Sequence, residues 1–180
     1  AYCRNCTRGS ANSQSGQGSC TACLPGTFSL DGAKTCTDCL AGSASGASAS
    51  ACVQCTAGFF APAKAAACLP CPAGTKATAS AGSCTICPAG QFSAAQSGSC
   101  TDCPFGKISA TNTSASCAVC PAGRFALGGM SVCSQCAAGS ISSSGASGCV
   151  SPGFVTPVVP CCHVLMIGSR FQTQCGSGRF

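Results

Sequence analysis

A C-x-x-C pair recurs every 16 or 17 residues through most of the chain. The copies are Cys3/Cys6, Cys20/Cys23, Cys36/Cys39, Cys52/Cys55, Cys68/Cys71, Cys84/Cys87, Cys100/Cys103, Cys117/Cys120 and Cys133/Cys136, and Cys149 opens the next. A fixed short period of this kind makes each copy one small structural unit that relies on its neighbours for burial. Three residues after the second cysteine of every pair stands a glycine: Gly9, Gly26, Gly42, Gly58, Gly74, Gly90, Gly106, Gly123 and Gly139. A glycine in all nine copies marks a backbone demand, either a positive φ or an approach that a Cβ would block. Proline ahead of it, as in Cys71-Pro72-Ala73-Gly74, presets a turn.

Composition says what such a unit lacks. The chain holds 22 cysteines in 180 residues, against nine Phe, one Tyr and no Trp. Cysteine above about 8–10% in a short chain reads as a disulfide scaffold. With so few large side chains, no sizeable apolar core can form. The 46% hydrophobic content is inflated by Ala and Cys. Charge is scarce, and the only acids are Asp31, Asp38 and Asp102. The nine Lys and Arg give a net charge of +6 but are scattered singly from Arg4 to Arg179. A nucleic-acid footprint needs basic residues clustered on one face, so no nucleic acid is expected as a partner. No apolar run approaches the ~20 residues that span a bilayer; the longest, VVPCCHVLMIG, is broken by Pro160. The opening AYCRNC already lies inside the repeat, which suggests a mature or truncated N-terminus rather than a signal peptide.

Zinc and disulfides compete for these cysteines, since C-x2-C-x12-C-x2-C is close to zinc-ribbon spacing. Against zinc stand a single histidine, His163, and a spacing that never alternates between short knuckles and long insertions. The Ser/Thr/Gly-rich, charge-poor composition favours disulfides and an extracellular or cell-surface location. The two cysteines of one C-x-x-C could pair with each other in a tight loop. The other pairing joins the second cysteine of one pair to the first of the next: Cys6–Cys20, Cys23–Cys36, Cys39–Cys52, Cys55–Cys68, Cys71–Cys84, Cys87–Cys100, Cys103–Cys117, Cys120–Cys133 and Cys136–Cys149. A loop of about 15 residues closed in this way contributes roughly 3 kcal/mol through the unfolded state. In CPAGQFSAAQSGSC (87–100), CPAG would turn the chain, QFS start a strand, AAQSG reverse it and SC return to the staple. The fold class expected is small and disulfide-rich, mostly irregular with short β-hairpins.

The pattern C-P-A-G-x-F-S…G-x-S-C-x-x-C resembles the ephrin-receptor-like cysteine-rich repeat. More distantly it is similar to the first half-module of tumour necrosis factor receptor cysteine-rich domains. The resemblance covers residues 3–150, leaving 151–180 as a non-repeat tail or cap. It supports the consecutive pairing, implies an elongated rod of tandem ~16-residue repeats, and implies no catalytic residues. Families with such repeats include receptor ectodomains, secreted matrix proteins and surface coats.

The position two after each glycine reads Ala11, Phe28, Ala44, Phe60, Lys76, Phe92, Ile108, Phe125 and Ile141. Phenylalanine occupies every second copy. Phe28, Phe60, Phe92 and Phe125 are therefore expected to pack against the disulfide or a neighbouring unit. If successive loops turn by about half a revolution, all four lie on one side.

In the tail, Cys162 and Cys175 enclose 12 residues like the other loops, which makes them a further expected bridge. Cys3 and Cys161 are then left over, as candidates for links to an upstream repeat or between successive molecules. Asn112-Thr113-Ser114 and Asn5-Cys6-Thr7 are N-glycosylation sequons, and the Ser/Thr-rich loop tips are candidate O-glycan carriers.

General acid–base catalysis needs positioned His or carboxylates. Only four such side chains exist, widely separated. A calcium site needs more acidic ligands than these. The expectation is a protein without catalysis or cofactor. Its role would be an extracellular structural rod in a filament, coat or matrix that associates with itself or with other extracellular proteins. The alternative is a receptor or adhesion ectodomain fragment. The absence of Trp and the single terminal Tyr weigh against that alternative, because protein-binding patches rely on such anchors.

Overall fold

The structure, a computed structural model, describes residues 5–14 and 18–151 in full. Beyond them it describes the backbone of one antiparallel hairpin, Cys162–Ile167 with Arg170–Cys175. Nine disulfides close nine consecutive loops: Cys6–Cys20, Cys23–Cys36, Cys39–Cys52, Cys55–Cys68, Cys71–Cys84, Cys87–Cys100, Cys103–Cys117, Cys120–Cys133 and Cys136–Cys149. These loops are numbered here as units 1 to 9. Their Cα–Cα separations of 5.6 to 5.8 Å sit in the middle of the range a disulfide tolerates. The fold is a disulfide-rich repeat rod, with no helix among the described residues.

Unit 6 shows how each loop is built. The chain leaves Cys87, turns through Pro88-Ala89-Gly90 and runs as strand Gln91–Phe92. It returns as strand Thr101–Asp102, with Gln91 opposite Asp102 and Phe92 opposite Thr101. From Cys20/Cys23 to Cys133/Cys136, the two middle residues of each C-x-x-C are thus the return strand of the unit before. Units 1 to 8 each form such a two-pair hairpin. Unit 9 keeps a single bridge, Ile141 with Val150.

The turn explains part of the glycine pattern. The Gln91 N–H donates to the Pro88 carbonyl at 3.1 Å, closing a four-residue turn with Gly90 third. Gly90 has φ +87, and all nine repeat glycines lie between +75 and +88. A β-turn of this kind requires a positive φ at its third residue. A Ser or Thr after the glycine reinforces the turn, as where the Thr75 hydroxyl donates to the Pro72 carbonyl at 2.7 Å.

The units are knit together by main chain rather than by sulfur. At the junction of units 3 and 4, the Gly42 N–H donates to Ala61 O at 2.8 Å and the Ser45 N–H to Ala65 O at 3.2 Å. In the opposite direction, the Lys64 N–H donates to Cys39 O at 2.9 Å. A parallel bridge of Ala44 with Ala65 crosses this junction, and Phe28 with Ala49 and Phe60 with Ala81 cross the junctions on either side. Each unit also meets the next but one. A Cβ built on Gly42 would overlap the carbonyl of Ser80, and one on Gly58 that of Gln96. In units 1 to 7 each repeat glycine is therefore covered by both the next unit and the next but one. Phe28, Phe60, Phe92 and Phe125 belong to units 2, 4, 6 and 8.

The core is smaller than the phenylalanines suggest. Cys23, Cys39, Cys55, Cys71, Cys87, Cys103 and Cys120 are fully buried. Beside them lies the residue three after each glycine: Ser29, Ser45, Ala61, Ala77, Ser93, Ser109 and Ala126, all buried. The four phenylalanines are only half-buried. Backbones in hydrogen-bond contact leave room for a methyl or hydroxyl between units, not for a ring.

Candidate functional site: unit faces and the rim of the rod

Each of units 2 to 9 presents two faces. The leading face carries the glycine N–H, the N–H three residues later and the carbonyl of the buried cysteine. The trailing face carries the complementary groups, centred on a second left-handed residue just before the return strand. That residue is Gly32, Ser48, Lys64, Ser80, Gln96, Thr113, Gly129 or Gly145. In five of these units it is not glycine, and φ is still +56 to +62. The conformation costs an L-residue about 1–2 kcal/mol. Here its N–H is tied to the carbonyl of the buried cysteine that opens the preceding unit, as in Ser80 N–H to Cys55 O at 2.8 Å, and in Ser48, Lys64, Ser80, Gln96, Thr113, Gly129 and Gly145 its own carbonyl lies against a glycine two units back. Sequence reading missed this position because Ser, Lys, Gln and Thr give no sign of it. Gly32, Gly129 and Gly145 were the only trace.

Side chains trim these junctions. The buried Ser29 and Ser93 donate their hydroxyls back to the Ser10 and Thr75 carbonyls, both at 2.9 Å. Asp31 accepts from the Arg8 N–H at 2.8 Å and from the Arg8 guanidinium at 2.9 Å. The hydrogen bond from the Arg8 backbone, followed by that from its side chain, holds the Asp31 carboxyl below the usual carboxylate range. Asn112 holds the corresponding place in unit 7, accepting from the Ala89 N–H at 2.9 Å. Asp38 pairs with the Lys64 ammonium at 3.0 Å, and Asp102 accepts from the Gln91 amide at 2.8 Å. All three acids of the chain are thus engaged in holding units or strands together.

The remaining residues singled out from the sequence are spread along the rod rather than gathered. Asn5 and Asn112 are exposed, with Asn5 next to the buried Cys6. Cys162 and Cys175 are register partners across the tail hairpin. Cys3 and Cys161 lie outside the described residues. Exposed apolar side chains dot the rim, including Leu24, Leu40, Val53 and Phe105. Phe28, Asp38, Leu40 and Ala51 line an open groove between units 2 and 3. Among the described residues, no three His, Cys, Asp or Glu side chains group so as to hold a metal ion. Among the described residues, no helix is long and apolar enough to cross a membrane.

The leading face is open at one end only. Gly9 to Gly106 are buried under the unit two ahead, whereas Gly123 is half-buried and Gly139 exposed, with open space where a Cβ would stand. Comparison of the chain with protein-family models and with curated proteins finds no match.

Proposed function

We propose that this chain is an extracellular structural rod, a component of a surface filament, coat or matrix, that performs no catalysis. The observation that carries this reading is the sameness of the units. The same turn, hairpin and junction recur along the described chain, and no unit gathers a chemistry that the others lack. Nine short-range disulfides fit an oxidising, extracellular compartment. The acids hold units or strands together, and among the described residues no pair of groups is poised for proton transfer. We read the repeat as ephrin-receptor-like on the strength of its cysteine, glycine and phenylalanine spacing. Exposure of Asn5 and Asn112 suits N-glycans there.

One observation favours a second reading, a receptor or adhesion fragment. The groove at Phe28 and Leu40 is the kind of apolar concavity into which a partner side chain could fit. Hydrogen-exchange footprinting of the native assembly separates the two. A structural rod shows contacts recurring along its length. A single compact footprint at units 2 and 3, with a stoichiometric protein ligand, overturns the structural reading.

A further inference from the structure

We propose that Asn112 does two jobs at once: its side-chain oxygen pins unit 7 to unit 6, and its side-chain nitrogen carries an N-linked glycan. This rests on the extracellular reading above and adds the atom that bears the sugar, together with the contact that the same amide keeps.

The geometry divides the amide between two tasks. The Ala89 N–H, in the turn of unit 6, donates to Asn112 Oδ1 at 2.9 Å. A backbone N–H can only donate, so the atom it meets is the amide oxygen. The nitrogen, Nδ2, has no hydrogen-bond partner among the described residues. Thr111, Asn112 and Thr113 are all exposed, which leaves room for a bulky group at this loop tip.

The other units show that the junction itself does not require asparagine. Asp31 holds the same place in unit 2 and accepts from the Arg8 N–H at 2.8 Å. Ala63, Ala79 and Ala95 hold it in units 4, 5 and 6 and offer no acceptor. Junctions therefore form with a carboxylate or with a methyl at this position. What asparagine adds is a nitrogen that the fold does not use. Ser114 completes the Asn-x-Ser acceptor sequence two residues on, with no proline between.

The transfer balances without an oxidant or a reductant. Nδ2 attacks the anomeric carbon of an oligosaccharide carried on a lipid pyrophosphate. The C–N bond forms, the C–O bond to pyrophosphate breaks, and the lipid pyrophosphate leaves with that electron pair. One amide proton passes to the transferring enzyme. The product is a secondary amide whose Oδ1 still accepts, so the bond from Ala89 survives the modification.

The test uses the oxidised chain secreted from eukaryotic cells. Mass spectrometry of the peptide that holds Asn112 should show a glycan that peptide N-glycanase removes. The Ala89 amide should exchange slowly with the glycan in place. It should stay slow after enzymatic removal, because the aspartate left behind accepts as Asp31 does. Asn112→Asp should likewise lose the glycan and keep the slow exchange. Asn112→Ala should lose both, with Ala89 exchanging about five- to tenfold faster, the worth of one hydrogen bond. The alanines of units 4 to 6 show that this variant can fold. An unmodified Asn112 in the secreted, fully oxidised chain overturns the proposal and leaves the structural reading in place. A glycan on Asn112 with Ala89 exchange unmoved by Asn112→Ala overturns the joint role. Free thiols throughout the recovered chain would overturn the extracellular reading, and the proposal with it.

Discussion

Gly42 and Gly139 hold the same place in their repeats and the same left-handed backbone, with φ +88 and +80. Their surroundings differ. Gly42 is buried with the Ser80 carbonyl pressed against it, and Gly139 faces open space. One sequence mark therefore serves two physical demands in the body of the rod and one at its end. The difference is set by a unit two repeats away, which no reading of a single repeat contains. The stability of a glycine turn should accordingly track whether the next-but-one unit is present, a coupling one unit longer than the nearest-neighbour rule of stacked repeats.

The largest effect expected is one that erases the comparison. Reduction removes about 3 kcal/mol per loop of this size from each of nine units. It should abolish the circular-dichroism signature of the body and the end alike, while a chelator leaves both unchanged. Next, Gly42→Ala adds backbone overlap, about 1–3 kcal/mol, to left-handed strain of about 1–2 kcal/mol. Gly139→Ala incurs the strain alone. Denaturant melts should rank them in that order, and equal losses would break the comparison. Third, Ser80→Gly relieves left-handed strain while its carbonyl keeps its place against Gly42, which predicts a gain of up to about 1 kcal/mol. A loss of stability would mean that the seryl side chain contributes something unseen.

The smallest effect lies at the N-terminal junction. Asp31 is held ionised by Arg8, so its folded pKa lies below its unfolded one. The stabilisation it gives is present above the ordinary aspartate range and is lost as pH falls through the lower, folded value. Asp31 is exposed, so the effect is small and weakened by salt. Exchange of the Gly9 amide should quicken below that range at low ionic strength, and Asp31→Asn should remove the dependence.

Much of this was legible in the chain. The period located every unit, and the Cys87–Cys100 stretch read as turn, strand, reversal and return, which is how unit 6 is built. The alternation of Phe with smaller residues led to an expectation of ring packing, and the four phenylalanines are half-buried. What was not legible depends on contacts between units. Lys64 and Gln96 adopt a positive φ because neighbouring backbone fixes them there, against their own preference. Phe60 drew attention by its size, yet Ala61 beside it is the buried residue, because junctions this close admit only small side chains. Asp31 looked like a stray charge until the fold brought it to Arg8.

The central claim is that stacked main chain joins the units, with sulfur closing each one. Amide hydrogen exchange on the oxidised, dilute chain tests it most directly. The account predicts strong protection at Gly26, Gly42, Gly58, Gly74, Gly90 and Gly106 and at Lys64, Ser80 and Gln96, with fast exchange at Gly139 and Ser142. Fast exchange at all of these amides, with every disulfide intact, would show loops strung like independent beads and would contradict it.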